Sequence, residues 1–115
     1  MSKILIVDDS PVDVQNLKNI LMDAGHMVTV ATSGSEGVAK AKANLPDVIM
    51  MDVNMPGLDG FSAARQLTQD AGTKGIPVVF VTGKDQKADR VFAQMLGAKG
   101  FVTKPYTADQ ILAQI

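Results

Sequence analysis

The sequence predicts one α/β domain, a (βα)5 unit with a doubly wound parallel five-stranded sheet. Five short runs rich in Val, Ile, Leu, Met or Phe recur along the 115 residues, and longer stretches with apolar residues at helical spacing separate them. Regular alternation of strand and helix implies parallel strands that carry helices on both faces. The length suits a single hydrophobic core and is too short for a second one.

The five apolar runs have the composition of buried strands. The runs "ILIV", "VIMM" and "VVFV" are apolar throughout, as expected for strands covered on both faces. The second run alternates around Thr29, which favours an edge position for that strand. We predict strands over residues 3–8, 26–31, 47–52, 76–82 and 100–103.

Helix boundaries are marked most clearly after the first strand. Ser10 is a candidate N-cap, Pro11 suits the first helical position, and Asp13 stands where the acid of a capping box would be. Gly25 is a candidate terminator. Asp59 is predicted to cap a helix over 60–70, and the ending "TADQILAQI" is placed inside the last helix. Apolar residues at helical spacing are clearest in two segments. The first contains Leu17, Ile20, Leu21 and Ala24, and the second contains Val91, Phe92, Met95 and Leu96.

Composition excludes several function classes. Eleven Lys and Arg against twelve Asp and Glu give a net charge of −1, which argues against direct nucleic-acid binding and against a basic membrane face. With no cysteine and one histidine, the chain lacks the residues for disulfides or thiolate catalysis and offers little for zinc. The apolar runs are far shorter than the roughly 20 residues that cross a bilayer. We therefore expect a cytoplasmic protein with no membrane insertion.

Polar side chains follow four of the predicted strands at their carboxyl ends. Asp8 and Asp9 end the first strand, Asp52 the third and Thr82 the fourth, and Lys104 follows the fifth. Ligands of open parallel sheets bind beyond the carboxyl ends of the strands, where the strand order reverses. All five side chains are therefore predicted to meet at one rim of the sheet.

The residue types at this rim suit phosphoryl chemistry. Carboxylates held close together repel one another unless a proton or a cation intervenes. Mg²⁺, for which Mn²⁺ can substitute, takes oxygen ligands and leaves positions for phosphate oxygens. Lys104 and Thr82 would supply a positive charge and a hydroxyl donor for a phosphoryl group. Asp52, on the central strand, is then the candidate nucleophile, because an aspartate carboxylate can form an acyl phosphate.

These positions together resemble the receiver domain of two-component response regulators. The residues that carry the resemblance are Asp8-Asp9, "MDVNMPGLDG" around Asp52, Thr82 and Lys104-Pro105. The match covers residues 1–115, so we expect no output domain, as in stand-alone CheY-like members. It implies a flavodoxin-like sheet with strand order 2-1-3-4-5. The segments "VTGKDQKADR" and "GAKGFVTKPY" are similar to regulators of type IV pilus twitching motility.

The resemblance implies a role for each residue at the rim. Asp52 would accept a phosphoryl group from a histidine kinase or a phosphotransfer domain, so the chain would be a signalling switch and no conventional enzyme. Asp9 and Asp52 would bind Mg²⁺ directly, Asp8 would act through water, and Asn54 would contribute its backbone carbonyl. Lys104 would pair with a phosphoryl oxygen, and a cis bond before Pro105 would aim it.

The resemblance also implies how the signal leaves the site. Thr82 would move toward the phosphoryl group, and the aromatic Phe101 would turn inward behind it. The surface of helix 4, strand 5 and helix 5, residues 85–115, would then change for a downstream protein target, with the domain a monomer. Asn54 and Lys84 flank the pocket and are predicted to tune the lifetime of the phosphoryl group, with Gly83 leaving access for water.

Three other interpretations account for parts of the sequence. A metal-dependent phosphatase with an aspartyl nucleophile typically has Asp-x-Asp after the first strand and a cap domain, and the chain shows neither. A nucleotide or flavin-binding module would need a phosphate-binding glycine loop, where this chain has the acidic "DDSP". A receiver cut from a longer DNA-binding regulator would share every feature above, and only the gene's reading frame would decide.

Overall fold

The structure, a computed structural model, describes all 115 residues and contains one parallel five-stranded sheet. The strands lie in the order β2-β1-β3-β4-β5, which confirms the predicted topology. The strands are β1 (Lys3–Val7), β2 (Met27–Ala31), β3 (Val48–Met51), β4 (Val78–Thr82) and β5 (Gly100–Thr103). The helices are α1 (Pro11–Asp23), α2 (Gly34–Asn44), α3 (Gly60–Gln69), α4 (Lys87–Met95) and α5 (Ala108–Leu112).

Two apolar clusters cover the two faces of the sheet, because successive strand residues point to opposite sides. Beneath α1 and α5, Ile4 and Ile6 of β1 pack with Leu17, Leu21 and Ile111. On the opposite face, the alternate strand positions pack against α2, α3 and α4, among them Leu5, Val7, Ile49, Met51 and Phe80. The central strands are therefore buried on both sides, as their continuous apolar runs predict.

The boundaries of α1 agree with the sequence, but the predicted capping box does not form. Ser10 is the N-cap and its hydroxyl accepts a hydrogen bond from Asp13 N at 3.4 Å. Gly25, with φ at 89°, follows the helix end. The return bond is missing because Ser10 N donates to Asp8 Oδ1 at 2.9 Å, while the Asp13 carboxylate bonds Lys104.

The loop between β3 and α3 folds tightly against the end of β3. Gly60 N donates to Val53 O at 2.9 Å, and a side chain at Gly60 would overlap the carbonyl oxygen of Asp52. Asp59 caps α3, as predicted, by accepting from Ser62 N at 2.8 Å. A residue without a side chain is therefore needed where α3 approaches the backbone of Asp52.

The last two helices differ from the simplest interpretation of their sequences. α4 forms where its apolar spacing predicts, but Val91, Phe92 and Met95 are exposed, and its buried residues are Asp89 and Ala93. α5 ends at Leu112, so the predicted helix does not continue to the last residue. None of the five helices has the length and apolar character required to cross a membrane.

Candidate functional site

The rim at the carboxyl ends of the strands holds a cluster of three carboxylates. Oxygens of Asp8, Asp9 and Asp52 all lie within 4.8 Å of one another. Asp8 and Asp52 are only 2% and 8% exposed, whereas Asp9 is exposed to solvent. The convergence expected from the strand order is therefore present, with two of the three charges withdrawn from water.

Strand alternation explains why these side chains meet on one side of the sheet. The apolar cluster beneath α1 and α5 includes Ile6, Met50 and Val102. These residues stand two positions before Asp8, Asp52 and Lys104, respectively. Strand residues two positions apart point to the same side of the sheet. The side chains of Asp8, Asp52 and Lys104 therefore lie on the side that α1 covers. The first turn of α1 consequently faces the same pocket.

Lys104 is the cation of the pocket. Its ammonium nitrogen lies 2.9 Å from Asp8 Oδ2, 2.8 Å from Asp13 Oδ2 and 3.8 Å from Asp52 Oδ1, and the side chain is 18% exposed. The peptide bond from Lys104 to Pro105 is cis. Burial lowers the pKa of Lys104, but the hydrogen bonds to Asp13 and Asp8 and the nearby charges outweigh it and raise the pKa. Lys104 is therefore firmly protonated.

Asp13 is a fourth carboxylate at this pocket, although its place in the sequence predicts a capping role. Its carboxylate, 35% exposed, bonds the Lys104 ammonium instead. The sequence signal was its place in the first turn of a helix that starts at the same rim as Asp8. Four carboxylates thus surround a pocket with a single ammonium group.

The charge of the Asp52 carboxylate is only partly balanced by its surroundings. Burial, the largest influence, raises the pKa of Asp52, and the charge of Asp8 raises it further. The charge of Lys104 and the hydrogen bonds from Thr82 and Val53 lower it, but the pKa remains raised overall. Val53 N donates to Asp52 Oδ1 at 2.9 Å. The anionic form of Asp52 is therefore incompletely compensated by the protein alone.

The donor set fits a hard divalent cation. The three clustered carboxylates offer only oxygen ligands, which Mg²⁺ prefers, and their mutual repulsion is relieved by a positive ion between them. Asn54, whose backbone carbonyl was predicted as a further ligand, lies exposed in the loop that follows β3. The surrounding residues thus match the predicted metal in charge and in atom type.

The predicted hydroxyl and its neighbours lie at the end of β4. Thr82 is 1% exposed, and its hydroxyl accepts a hydrogen bond from Lys84 N at 3.1 Å. Gly83 faces open space, since a side chain there would meet no atom within 4 Å. The Lys84 ammonium lies 3.5 Å from Asp89 Oδ1, so its ion pair is with α4.

Phe101 occupies the strand next to Thr82. Phe80 pairs with Phe101 and Thr82 pairs with Thr103 in the register of β4 and β5, which puts Thr82 and Phe101 on one face of the sheet. The Phe101 ring is partly buried against the cluster beneath α4. The guanidinium of Arg90 lies 4.8 Å from the centre of this ring, and no motif in the sequence indicates this contact.

Comparison with known proteins agrees with this geometry. Residues 4–115 match the family model described as the response regulator receiver domain. Protein PilH of Pseudomonas aeruginosa is 49% identical over 115 residues, which is 100% of this chain and 95% of that protein. Response regulator PleD of Caulobacter vibrioides is 39% identical over 99% of this chain and 25% of its own length. The structure of chemotaxis protein CheY4 of Vibrio cholerae has a TM-score of 0.91, with 34% identity and coverage of 98% of this chain and 94% of that one.

Proposed function

Because the chain belongs to the response regulator receiver family, we propose that it acts as a phosphorylation-activated switch in two-component signalling, with Asp52 as the acceptor. One observation carries this assignment. The Lys104 ammonium is held by Asp8 and Asp13 beside Asp52, 3.8 Å from its carboxylate oxygen. A positive charge is thus already placed next to the atom that would receive a phosphoryl group.

The proposed reaction transfers a phosphoryl group from a histidine kinase or a phosphotransfer domain. A carboxylate oxygen of Asp52 forms a bond to phosphorus while the bond from phosphorus to the donor's imidazole nitrogen breaks, and the imidazole keeps the electron pair. Lys104 and the Thr82 hydroxyl stabilise the negative charge on the transferring oxygens. Hydrolysis of the product returns Asp52 to the free carboxylate, so the chain is not a conventional enzyme.

We assign the metal site to Asp9 and Asp52 as direct ligands, Asp8 through water, and the backbone carbonyl of Asn54. When bound, Mg²⁺ supplies positive charge beside the phosphoryl oxygens. The cluster of three carboxylate oxygens within 4.8 Å and the raised pKa of Asp52 support this assignment. Asn54 and Lys84 flank the pocket and tune the lifetime of the phosphoryl group, and exposed Gly83 leaves room for water.

Phosphorylation would change the surface that a partner recognises. A phosphoryl group carries about two negative charges in place of one, which favours a conformation with Thr82 drawn inward. Phe101 then turns toward the space behind Thr82 and alters the face of α4, β5 and α5, where Val91, Phe92 and Met95 are exposed. The partner is a downstream protein.

We place the domain in motility or chemotaxis-type signalling, as a monomer. The full-length similarity to Protein PilH and to chemotaxis protein CheY4 supports the assignment to motility or chemotaxis-type signalling. Both of those proteins are covered over at least 94% of their length, unlike Response regulator PleD.

The test is the intact mass of the protein after incubation with acetyl phosphate and MgCl₂. The wild type is expected to gain the mass of one phosphoryl group. When EDTA replaces MgCl₂ in the incubation, we expect no mass gain. Asp52→Asn is expected to gain nothing. Asp23→Asn, the same substitution at an exposed residue at the far end of α1, is the matched control and should behave as wild type. The assignment is overturned if Asp52→Asn and Asp23→Asn both gain the phosphoryl mass, or if none of the three proteins gains it.

A further inference from the structure

Arg90 of α4 joins three segments of the chain around Phe101. Its guanidinium lies over the Phe101 ring, 4.8 Å from the centroid. Its Nη2 donates to Thr103 Oγ1 at 2.9 Å, and its Nε donates to Asp85 Oδ1 at 2.6 Å. One side chain therefore connects α4, the loop that follows β4 and the strand β5.

The contacts of Arg90 border the residues proposed to switch. Thr103, which Arg90 binds, pairs directly with Thr82 across β4 and β5. Phe101 lies two residues earlier on β5 and therefore on the same face of the sheet. The guanidinium consequently spans the row from Phe101 to Thr103, immediately beside Thr82.

We propose that Arg90 is a positioning residue that holds the Phe101 ring in its partly exposed position and thereby favours the unphosphorylated conformation. The proposal rests on the switch role proposed above for Phe101 and Thr82. A cation over a ring face is attracted by the negative charge of that face. When Phe101 turns inward, this attraction is lost, because the hydrogen bonds to Asp85 and Thr103 keep the guanidinium in place.

The expected size of the effect follows from the exposure of the contact. The Arg90 side chain is 48% exposed, and cation–π contacts at exposed sites shift an equilibrium by roughly two- to fivefold. The planar fork of arginine lets it bond two partners while it stacks on the ring, which an ammonium group cannot do. Arg90→Lys is therefore expected to retain only part of the effect.

The first test is the affinity for beryllofluoride with MgCl₂, an inorganic mimic of the phosphoryl group on a carboxylate. Arg90→Gln is expected to bind it roughly two- to fivefold more tightly than wild type, and Arg90→Lys by an intermediate factor. Arg65→Gln, at an exposed arginine of α3, is the control and should match wild type. Equal affinities of wild type and Arg90→Gln overturn the proposal.

A double-mutant comparison tells the ring contact from a general loosening of α4. In the Phe101→Leu background, Arg90→Gln should leave the beryllofluoride affinity unchanged, because the ring is already absent. If Arg90→Gln tightens binding as much without the ring as with it, Arg90 acts through other contacts and the proposal is wrong.

A second measurement separates this proposal from the proposed function. Labelling with 4-fluorophenylalanine gives one ¹⁹F signal for each of the four phenylalanines, and Phe101→Leu identifies the signal of Phe101. Without any phosphoryl mimic, Arg90→Gln should shift that signal toward the position it takes in the activated protein, or broaden it. An unchanged signal overturns the positioning role, whereas a failure of beryllofluoride to bind wild type counts against the proposed function alone.

Discussion

Replacement of Asp52 by asparagine is expected to stabilise the folded protein at pH 7. Asp52 lies within 4.8 Å of the carboxylate oxygens of Asp8 and Asp9 and 3.8 Å from the Lys104 ammonium. At an effective dielectric constant of about 20, and before screening by solvent, each repulsion amounts to at least about 3.5 kcal/mol and the attraction to about 4.4 kcal/mol. Solvent screens the exposed Asp9 strongly, so the charge interactions nearly cancel. The unfavourable burial of the Asp52 charge remains, and we expect a gain in unfolding free energy of about 1–2 kcal/mol.

The pH dependence of this gain has a definite sign. Because the pKa of Asp52 is raised above its ordinary value of 3.8, the folded state binds the proton more tightly than the unfolded state. Ionisation of Asp52 therefore lowers stability as the pH rises through its pKa in the folded protein. The advantage of Asp52→Asn should be complete at pH 7 and should shrink on acidification, until it is lost below the unfolded pKa.

Urea unfolding measures this difference directly. With a urea m-value of roughly 1–1.5 kcal/mol/M for a domain of this size, the midpoint of Asp52→Asn should rise by about 1 M at pH 7. MgCl₂ should raise the midpoint of the wild type more than that of Asp52→Asn, because a bound cation relieves the same repulsion. The reasoning is refuted if Asp52→Asn is the less stable protein, if the difference is independent of pH, or if Asp23→Asn is stabilised equally.

Three further substitutions test other parts of the account. Lys104→Met removes the cation of the pocket and should lower the unfolding free energy by about 2–3 kcal/mol at pH 7 and by less at pH 4. The same substitution should slow phosphorylation by acetyl phosphate, measured as the mass gain over time. Gly60→Ala should cost about 1–3 kcal/mol in urea unfolding, because its methyl group overlaps the Asp52 carbonyl oxygen, whereas Gly75→Ala, in open space, should change stability by less than about 0.5 kcal/mol. Thr82→Val should still accept a phosphoryl group on Asp52 but should lose the beryllofluoride-induced shift of the Phe101 ¹⁹F signal.

Much of the fold follows from sequence patterns with a direct physical cause. The runs "ILIV", "VIMM" and "VVFV" are buried in the three central strands, and the alternating second strand lies at the edge of the sheet. The convergence of Asp8, Asp52 and Lys104 follows from the same patterns, because parallel strands bring their carboxyl ends to one rim. Local signals were also reliable at α1 and α3, where Ser10 and Asp59 are the N-caps.

The remaining features depend on long side chains and on the rotation of helices, which spacing does not determine. Asp13 could satisfy either a backbone N–H or a distant ammonium, and the position of Lys104, 91 residues away, decides between them. The apolar spacing of α4 predicts a helix without showing which side packs, so the exposure of Phe92 and Met95 was unpredictable. Arg90 reaches Phe101 only because β5 lies beside β4 beneath α4, a tertiary arrangement that no local pattern encodes.

The most direct test of the central claim is to locate the phosphoryl group on the chain. The protein is incubated with acetyl phosphate and MgCl₂ and reduced with borohydride, which converts an aspartyl phosphate to homoserine, and the peptides are sequenced by tandem mass spectrometry. The account predicts homoserine at position 52 and at no other aspartate. Homoserine at position 8, 9 or 13, or phosphate retained on a serine, threonine or histidine with Asp52 unmodified, would contradict it.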